Sequence, residues 1–451
     1  MDASSPPRYR RFSTRPGPAP LSGSELPPYT RRNTLTQPIN LHREPTEHVF
    51  QLADGKSRPW ITLKVYSSAK SPRSLPTFFE KENITGLLEL EAERGDSIQA
   101  ITATVTGRII TGSGVDDCFV FLNQMQPVWS KSTDTPRVPS PSEGAASTKL
   151  LGHCIWPLSI ALPRTATVPS GSGEMCSFRL PETFLERQTR VSVQYDLTIV
   201  VSRGKLRADN KIKTAFGYVP STRPEPPSLL RQIAYQQFLP LPGPFSDPEG
   251  WKTLRPVSVR GVMFNAQRAE SKCTLSLAKP LIYARGTVLP CFLTLEACES
   301  RILDLLSNPA AVVLSLRRRV RFYNKSNSSR RDVAWNETVE DMGTATWWTS
   351  TDVGNDTTTR HLEGEIRLAK DLRPTSEMGH FSISYSVVLC PFTAVGFSSD
   401  SVTLLSEPVE IATMHAKGPR TNAYSPPAYD SRSRRNDDAT TPPEVSLTFV
   451  I

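Results

Sequence analysis

Histidine and cysteine are the side chains of this sequence that could supply a nucleophile, a general base or a metal ligand. The chain has six histidines and seven cysteines. The tightest group is the adjacent pair His153 and Cys154, whose side chains would point to opposite faces of a strand and so could not share a metal ion. The apolar surroundings of His153 favour a hydrogen-bonded histidine in the core or at a sheet edge over a general base. The cysteines are widely spaced in or beside apolar stretches, which predicts buried, reduced thiols.

The familiar catalytic motifs are missing as well. The sequence contains no glycine-rich phosphate loop before a helix, no G-x-S-x-G and no H-E-x-x-H. It also shows no RNA-recognition, helix-turn-helix or zinc-finger pattern. We therefore predict a protein that is not an enzyme, uses no cofactor or metal, and does not bind nucleic acid.

A short motif near the end of the chain is suited to recognition instead. The stretch SPPAYD spans residues 425–430, and Pro426 and Pro427 favour a polyproline II conformation before any partner binds. Tyr429 follows at the spacing that lets its ring enter a second pocket of an aromatic groove, as in a WW domain. A chain with 40 prolines also produces such sequences by chance, so the motif has to be judged together with the rest of the protein.

A second stretch of this kind lies in the N-terminal arm, within ELPPYTRR. Two such ligands on opposite tails would raise the binding strength for a partner with two WW modules. The residues of this second candidate WW-ligand motif are Leu26, Pro27, Pro28 and Tyr29.

A run of arginines in LSLRRRVRFYN is the strongest basic feature. On a strand, Arg317, Arg319 and Arg321 share one face at intervals of about 6.7 Å, which suits phosphate or carboxylate groups and predicts a strip that binds anionic cargo or lipid. The alternative, which we favour, is an ordinary solvated face whose arginines pair with acids on a neighbouring strand. Arg318 points the other way and would need a buried partner.

Charge and hydropathy restrict the partners and the location. The formal net charge is +9, which makes acidic peptides or anionic lipid headgroups plausible partners. No apolar run approaches the roughly 18 residues of a spanning helix, and no secretory signal is evident. We expect a cytoplasmic protein.

Period-two alternation of apolar residues predicts β-strands through most of the chain. ITATVTGRII (101–110), RVSVQYDLTIVVSR (190–203) and FSISYSVVL (381–389) each place apolar residues on one face. About eight strands are expected between residues 60 and 217 and about eight between 257 and 412, with one short helix at 299–306. The fold class predicted is all-β, with two β-sandwiches in tandem.

The composition divides the chain into five parts. A disordered, basic, proline-rich arm (1–47) precedes the first sandwich (48–218), and a proline-rich connection (219–256) leads to the second (257–413). A disordered tail with the PPxY motif follows (414–451). Residues 130–149 and 324–360 are predicted to be long loops, the second partly structured by its three tryptophans. The apolar residues of the connection are expected to pack along the domain junction; they are Leu229, Leu230, Ile233, Tyr235, Phe238 and Leu239.

The order of these pieces resembles the arrestin family. ITGLLELEAERGDSIQAITATVTGRIITG resembles the opening of an arrestin N-terminal domain, with Gly95 in a turn. GHCIWPLSIALP and the later LPETF and VQYDL stretches resemble its second half, and CTLSLAKPLIYARGTVLPCFLTLEA resembles the start of the C-terminal domain. The resemblance covers residues 48–412 and is of the fungal α-arrestin type, the arrestin-related trafficking adaptors.

This resemblance implies two immunoglobulin-like sandwiches that bind the cytosolic tails of membrane transporters or receptors. It also implies that the Pro-Tyr motifs recruit a WW-domain HECT ubiquitin ligase, so that cargo is ubiquitinated, endocytosed and sorted. The alternative function is a sorting or signalling scaffold of the same fold, which binds lipid or protein partners without recruiting a ligase.

Overall fold

β-strands make up most of the described part of the chain, which confirms the prediction of an all-β protein. The computed structural model describes residues 44–53, 58–92, 98–112, 114, 117–131, 150, 152–170, 173–187, 189–204, 208–264, 267–323, 335–350, 356–399 and 403–426. The described residues from Pro45 onward belong to one compact unit. Within it, the strands fall into a first half and a second half along the chain.

The first half contains two larger sheets and a small hairpin. Its strands are β1 (Thr46–Ala53), β2 (Pro59–Ser67), β3 (Thr77–Phe79), β4 (Asn83–Ala92), β5 (Ile98–Ile110), β6 (Cys118–Ser130), β7 (Gly152–Ala161), β8 (Thr165–Pro169), β9 (Met175–Arg179), β10 (Phe184–Leu185), β11 (Ser192–Arg203) and β12 (Asn210–Val219). One sheet has the order β1-β2-β4-β7 and the other the order β3-β12-β11-β5-β6, while β8 pairs with β9. Both sheets contribute to the same hydrophobic core, with Leu63 and Leu88 from the first and Val105 and Tyr195 from the second. The arrangement is sandwich-like.

The second half is built on one large, curled sheet. Its strands are β13 (Trp251–Thr253), β14 (Val257–Met263), β15 (Gln267–Ala278), β16 (Ile282–Ala284), β17 (Val288–Glu296), β18 (Leu314–Tyr323), β19 (Trp335–Thr349), β20 (Thr359–Arg367), β21 (Ser376–Met378), β22 (Phe381–Leu389), β23 (Phe397–Ser399) and β24 (Leu405–Ala412). The main order is β16-β24-β22-β18-β19-β20-β17-β15-β14-β23. Nine of the first ten residues of β19 pair with β18, with Met342 in a bulge, and the last five pair with β20. One long strand thus joins both parts of the sheet.

The alternating patterns place the core strands correctly, but the number of strands is larger than expected. Every second residue from Ile101 to Ile109 is buried, as are the alternate residues from Val191 to Val201 and from Phe381 to Leu389. The structure has eleven strands from β2 to β12 and eleven from β14 to β24, where about eight were expected in each of these ranges of the described chain. The extra ones are mostly two to five residues long, too short for an alternation to be recognised.

The prediction of a loop over residues 324–360 is wrong from Trp335 to Thr349. These residues form β19, in which only Trp347 is fully buried. The strand was missed because its stability comes from two hydrogen-bonded ladders and from cross-strand charge pairs, which leave no hydrophobic alternation in the sequence. Most of the other predicted loop, 132–149, lies outside the described residues.

The connection between the halves contains a helix that was not expected. Helix α1 spans Leu229–Gln237, with Ser228 as its N-cap, and a short 3₁₀ turn spans Pro248–Gly250. The predicted short helix is confirmed as α2 (Ser300–Leu306). Of the six apolar residues expected to pack at the junction, only Tyr235 is buried, and the other five are exposed. That prediction is therefore wrong for five of the six.

Candidate functional site

The chain reaches the PPAY motif through a segment that runs along the surface of the second half. This segment, residues 413–426, is called the C-terminal strap. It begins with a two-way link to the connection, since Thr413 N donates to Thr222 Oγ1 (3.0 Å) and Thr222 N donates to Thr413 Oγ1 (3.0 Å). Further on, Asn422 Nδ2 donates to the carbonyl of Tyr235 in α1 (2.9 Å). The strap is thus tied down both to the connection and to α1.

A buried carboxylate holds the end of the strap. Glu365 in β20 is only 2% exposed, and its two oxygens accept hydrogen bonds from the backbone N–H groups of Tyr424 (2.9 Å) and Ser425 (3.2 Å). Arg367 Nη2 donates to Ser425 Oγ (3.1 Å), and the Tyr424 ring stacks on Tyr235 with 6.3 Å between ring centroids. Because the acceptor is charged and desolvated, these hydrogen bonds are of the stronger kind.

Only the first residue of the predicted WW ligand lies in the described structure. Pro426 is half-buried at the end of the strap, next to the anchored Ser425. Pro427 and Tyr429 lie outside the described residues, and so does the whole second motif, Leu26, Pro27, Pro28 and Tyr29. The structure therefore fixes where the PPAY segment starts on the surface, and the use of both motifs stays a prediction.

The arginine strip lies on β18, and all three of its side chains pair with acids. Arg317 Nε is 2.8 Å from Asp341 Oδ1, while Arg319 Nε and Arg321 Nε lie 3.2 and 3.7 Å from the two oxygens of Glu337. Both acids belong to the neighbouring strand β19. This is the arrangement of the alternative interpretation, in which the arginines balance acids across a solvated strand pair. Binding of anionic cargo or lipid by the strip is untested.

Arg318 has acidic partners, the half-buried Glu186 and Glu340, as its inward position requires. It is 4% exposed and binds Glu186 through two parallel hydrogen bonds of 2.8 Å, while its Nη2 also donates to Glu340 Oε2 (2.6 Å). Glu186 belongs to the first half and Arg318 to the second. A bidentate, desolvated pair of this kind fixes orientation as well as distance.

Further ion pairs extend this contact into a network between the halves. Glu182 of the first half accepts from Arg285 Nη1 (3.0 Å) and lies 3.5 Å from Arg373 Nη1, and Arg373 Nε is also 3.7 Å from Glu186. These charged groups are called the junction charge cluster, which consists of Glu182, Glu186, Arg285, Arg318, Glu340 and Arg373. Sequence analysis missed all of them except Arg318, because charged partners that lie 22 to 191 residues apart leave no local signal.

Burial and neighbouring charges shift the pKa values of Glu182 and Arg318 in opposite directions. Burial raises the pKa of Glu182 above its usual value of 4.5, and the nearby charges of Arg285 and Arg373 reduce this rise. Burial alone would lower the pKa of Arg318, but hydrogen bonds and charge from Glu186, together with Glu340, raise it above its usual value. Arg318 therefore stays charged, while Glu182 takes up a proton more readily than an exposed glutamate.

The raised pKa of Glu182 gives a pH dependence of stability with a definite sign. Just above pH 4.5 the folded protein holds this proton more tightly than the unfolded chain does, so the contribution of Glu182 to the unfolding free energy falls as the pH rises through this window and is constant above it. In urea titrations we expect the unfolding free energy of wild type minus that of Glu182→Gln to fall as the pH rises through this window.

Glu270 supplies a control of opposite sign. Its pKa is lowered, first by a hydrogen bond from Arg260, so its favourable contribution is lost as the pH falls. The unfolding free energy of wild type minus that of Glu270→Gln should therefore rise with pH. If the free-energy difference for Glu182→Gln also rose with pH, the assignment of a raised pKa to Glu182 would be contradicted.

The remaining candidate groups are the histidines and the cysteines. His153 is exposed on β7, with Nδ1 2.5 Å from Glu91 Oε1, and the buried histidines are His48 and His361. The predicted burial of the thiols is confirmed for Cys273 and Cys291, whereas it is wrong for the exposed Cys118 and Cys298. Among the described residues no group of three or more His, Cys, Asp or Glu side chains could hold a metal ion.

Comparison with known proteins assigns no family to this chain. A scan against models of known protein families finds no match, and a search of the curated proteins finds none either. Within the described ranges, no helix combines the length and apolar character that crossing a bilayer requires.

Proposed function

We propose that this chain is a non-catalytic adaptor of the arrestin type, which links membrane-protein cargo to a WW-domain HECT ubiquitin ligase. The two β-sheet halves with the connection between them, residues 45–412, are called the body. The body binds a cytosolic segment of the cargo, and the Pro-Tyr motifs bind the ligase. The ligase then ubiquitinates the cargo, which is endocytosed and sorted. The adaptor acts from the cytoplasmic face of the plasma membrane or endosomes.

The observation that carries this proposal is the course of the C-terminal strap. Glu365 and Arg367 hold Ser425 against the body, so the PPAY segment begins at a defined point on the surface. An adaptor needs such a fixed starting point because a ligase bound to the motif must reach lysines on cargo bound to the same body. A tether of a few residues keeps the effective concentration of the two partners high.

Two further observations support the proposal. The all-β architecture in two halves agrees with the tandem sandwiches that the arrestin resemblance implies. The junction charge cluster holds the halves in one relative orientation through Glu182, Glu186 and Arg318, which gives cargo a composite surface of constant shape. Disordered tails and cargo binding by the sandwiches belong to the same proposal.

Proximity labelling in cells tests the adaptor function as a whole. The full chain, fused to a labelling enzyme, is compared with the Tyr29→Ala, Tyr429→Ala double variant. We expect wild type to label both a HECT ligase and integral membrane proteins, and the double variant to lose the ligase while it keeps the membrane proteins. The cause is that only the ligase contact uses the two tyrosines.

The labelling experiment has two outcomes that oppose the proposal. If the double variant labels the ligase as strongly as wild type, the motifs do not recruit it. If wild type labels no membrane protein, the body does not bind cargo of this class. A Tyr424→Ala variant is the matched control, since Tyr424 lies five residues before Tyr429 but outside the PPxY pattern.

A further inference from the structure

Helix α1 and the two residues after it present a cluster of large apolar side chains to solvent. This cluster is called the α1 apolar face. Its members and their exposed fractions are Leu229 (75%), Leu230 (50%), Ile233 (45%), Phe238 (80%) and Leu239 (47%). Five such residues lie within eleven positions of the chain, and exposed apolar clusters of this kind mark contact with a partner or a membrane.

The opposite side of α1 shows why this face cannot turn inward. Arg231 is 1% exposed, and its guanidinium donates to the carbonyls of Lys279 (2.8 Å) and Gly250 (2.6 Å) while it lies 5.0 Å from the centre of the Trp251 ring. Ala234 and Tyr235 are buried on the same side. Rotation of the helix would leave the Arg231 charge and two carbonyls without these partners, so the aliphatic residues are held outward.

Phe238 adds a second observation that internal packing does not explain. It ends α1 in the left-handed conformation, with φ at 57°, where glycine is the favoured residue and a bulky side chain is strained. Its ring is nevertheless 80% exposed. A phenylalanine at this point contributes to neither backbone conformation nor core packing, which points to a contact outside the chain.

The connection and the C-terminal strap, the two segments next to the α1 apolar face, carry more exposed cations than exposed carboxylates. Arg223, Lys417 and Arg420 are exposed on the connection and on the strap, which passes α1 with Gly418 beside Gln232. Arg223 Nη1 donates to the carbonyl of His415 (2.6 Å), so this guanidinium lies against the strap. The exposed carboxylates of the connection are those of Glu225 and Glu249, and the described strap contains none. An anionic surface therefore complements this region better than a neutral or basic one.

We propose that the α1 apolar face inserts into the interfacial layer of a bilayer that contains anionic lipid. The aliphatic and aromatic side chains enter the boundary between headgroups and acyl chains, while Arg223, Lys417 and Arg420 face the lipid phosphates. This inference extends beyond ligase recruitment and does not require the Pro-Tyr motifs. It assigns membrane contact to the connection and strap instead of the arginine strip on β18.

Flotation of the full chain with vesicles tests this assignment. The vesicles contain phosphatidylcholine and phosphatidylserine in equal parts, or phosphatidylcholine alone. We expect wild type to float with the anionic vesicles and Phe238→Gly to bind them about tenfold more weakly, since an aromatic ring no longer enters the lipid. Reversal of charge at Arg223, Lys417 and Arg420 should reduce binding to anionic vesicles as well. Arg317, Arg319 and Arg321 changed together to Glu should leave it unchanged.

The Phe238→Gly variant is expected to fold, because glycine suits the left-handed position better than phenylalanine does. Equal or higher thermal midpoints would confirm this. Phe264→Gly is the matched control, since Phe264 also has a positive φ (49°) and is 73% exposed, but lies after β14, away from α1. The control should bind vesicles as wild type does.

Three results would overturn the proposal. One is unchanged vesicle binding by Phe238→Gly, and another is an equal loss in Phe264→Gly, which would mean that any exposed aromatic contributes. The third is a wild type that does not float but forms a dimer by light scattering that Phe238→Gly abolishes, because the face would then bind a second copy of the chain. WW-domain binding, measured on the same variants, should not change, so failure here remains distinct from failure of ligase recruitment.

Discussion

Replacement of Arg318 by methionine is expected to lower the free energy of unfolding by about 3–5 kcal/mol. Methionine keeps much of the side-chain volume but removes the charge that Glu186 and Glu340 share. Two half-buried carboxylates then lose the cation that they share, and Arg373 at 3.7 Å is the remaining cation near Glu186. The loss should appear as a lower urea midpoint, and it arises at the contact between the halves.

The neighbouring Arg319 is the matched control for this experiment. It lies on the same strand, but it is 53% exposed and pairs with Glu337 at the surface. Arg319→Met is therefore expected to cost less than about 1 kcal/mol. Neutralisation of the partners, as Glu186→Gln and Glu340→Gln in the Arg318→Met background, should recover part of the loss. Equal losses at Arg318 and Arg319 would contradict a buried, orienting role for the cluster.

Binding of an isolated WW domain to the full chain is expected to weaken by about 30-fold or more in Tyr429→Ala, which corresponds to about 2 kcal/mol. The tyrosine ring fills its own pocket in the WW groove, and the two prolines alone bury too little surface to hold the domain. The dissociation constant, measured by calorimetry, gives this result directly.

Variants of Tyr29 and Tyr424 distinguish the contribution of the PPAY motif to binding from that of the residues around it. With a partner that carries two WW domains in tandem, Tyr29→Ala should reduce binding only through lost avidity, so its effect should disappear with a single WW domain. Tyr424→Ala should raise the affinity about fivefold, because weaker strap anchoring increases the fraction of chains in which Ser425 and Pro426 are accessible. A Tyr429→Ala affinity equal to that of wild type would exclude PPAY as the ligand.

The fold class could be predicted because each core strand carries its own signal. Ile101, Val105 and Ile109 alternate with polar residues, and one buried face is enough to define a strand whatever its partner. Helix α2 was found for the same reason, since its apolar residues face the core. β19 was not, because its pairing partners and its charge pairs with β18 stabilise it and no hydrophobic pattern marks it.

The residues of the candidate site also divide into those that local sequence predicts and those that it does not. PPAY is a contiguous motif whose chemistry is local, so the sequence was sufficient to propose it. The need of Arg318 for a buried partner also followed from its place on the strand, and Glu186 and Glu340 meet that need. The anchoring of Ser425 by Glu365 could not be predicted, since 60 residues separate the two and neither has a distinctive neighbour.

Sequence alone thus determined the all-β class, the inward faces of the core strands and the position of the Pro-Tyr motifs. These depend on residue type and short-range periodicity. Only the tertiary structure decided that Arg231 faces inward while Leu229 and Phe238 face solvent, and that charges of both halves meet at the junction. The physical reason is that burial of a charge depends on carbonyls, rings and carboxylates brought together from distant parts of the chain, and hydrophobicity along one segment does not report them.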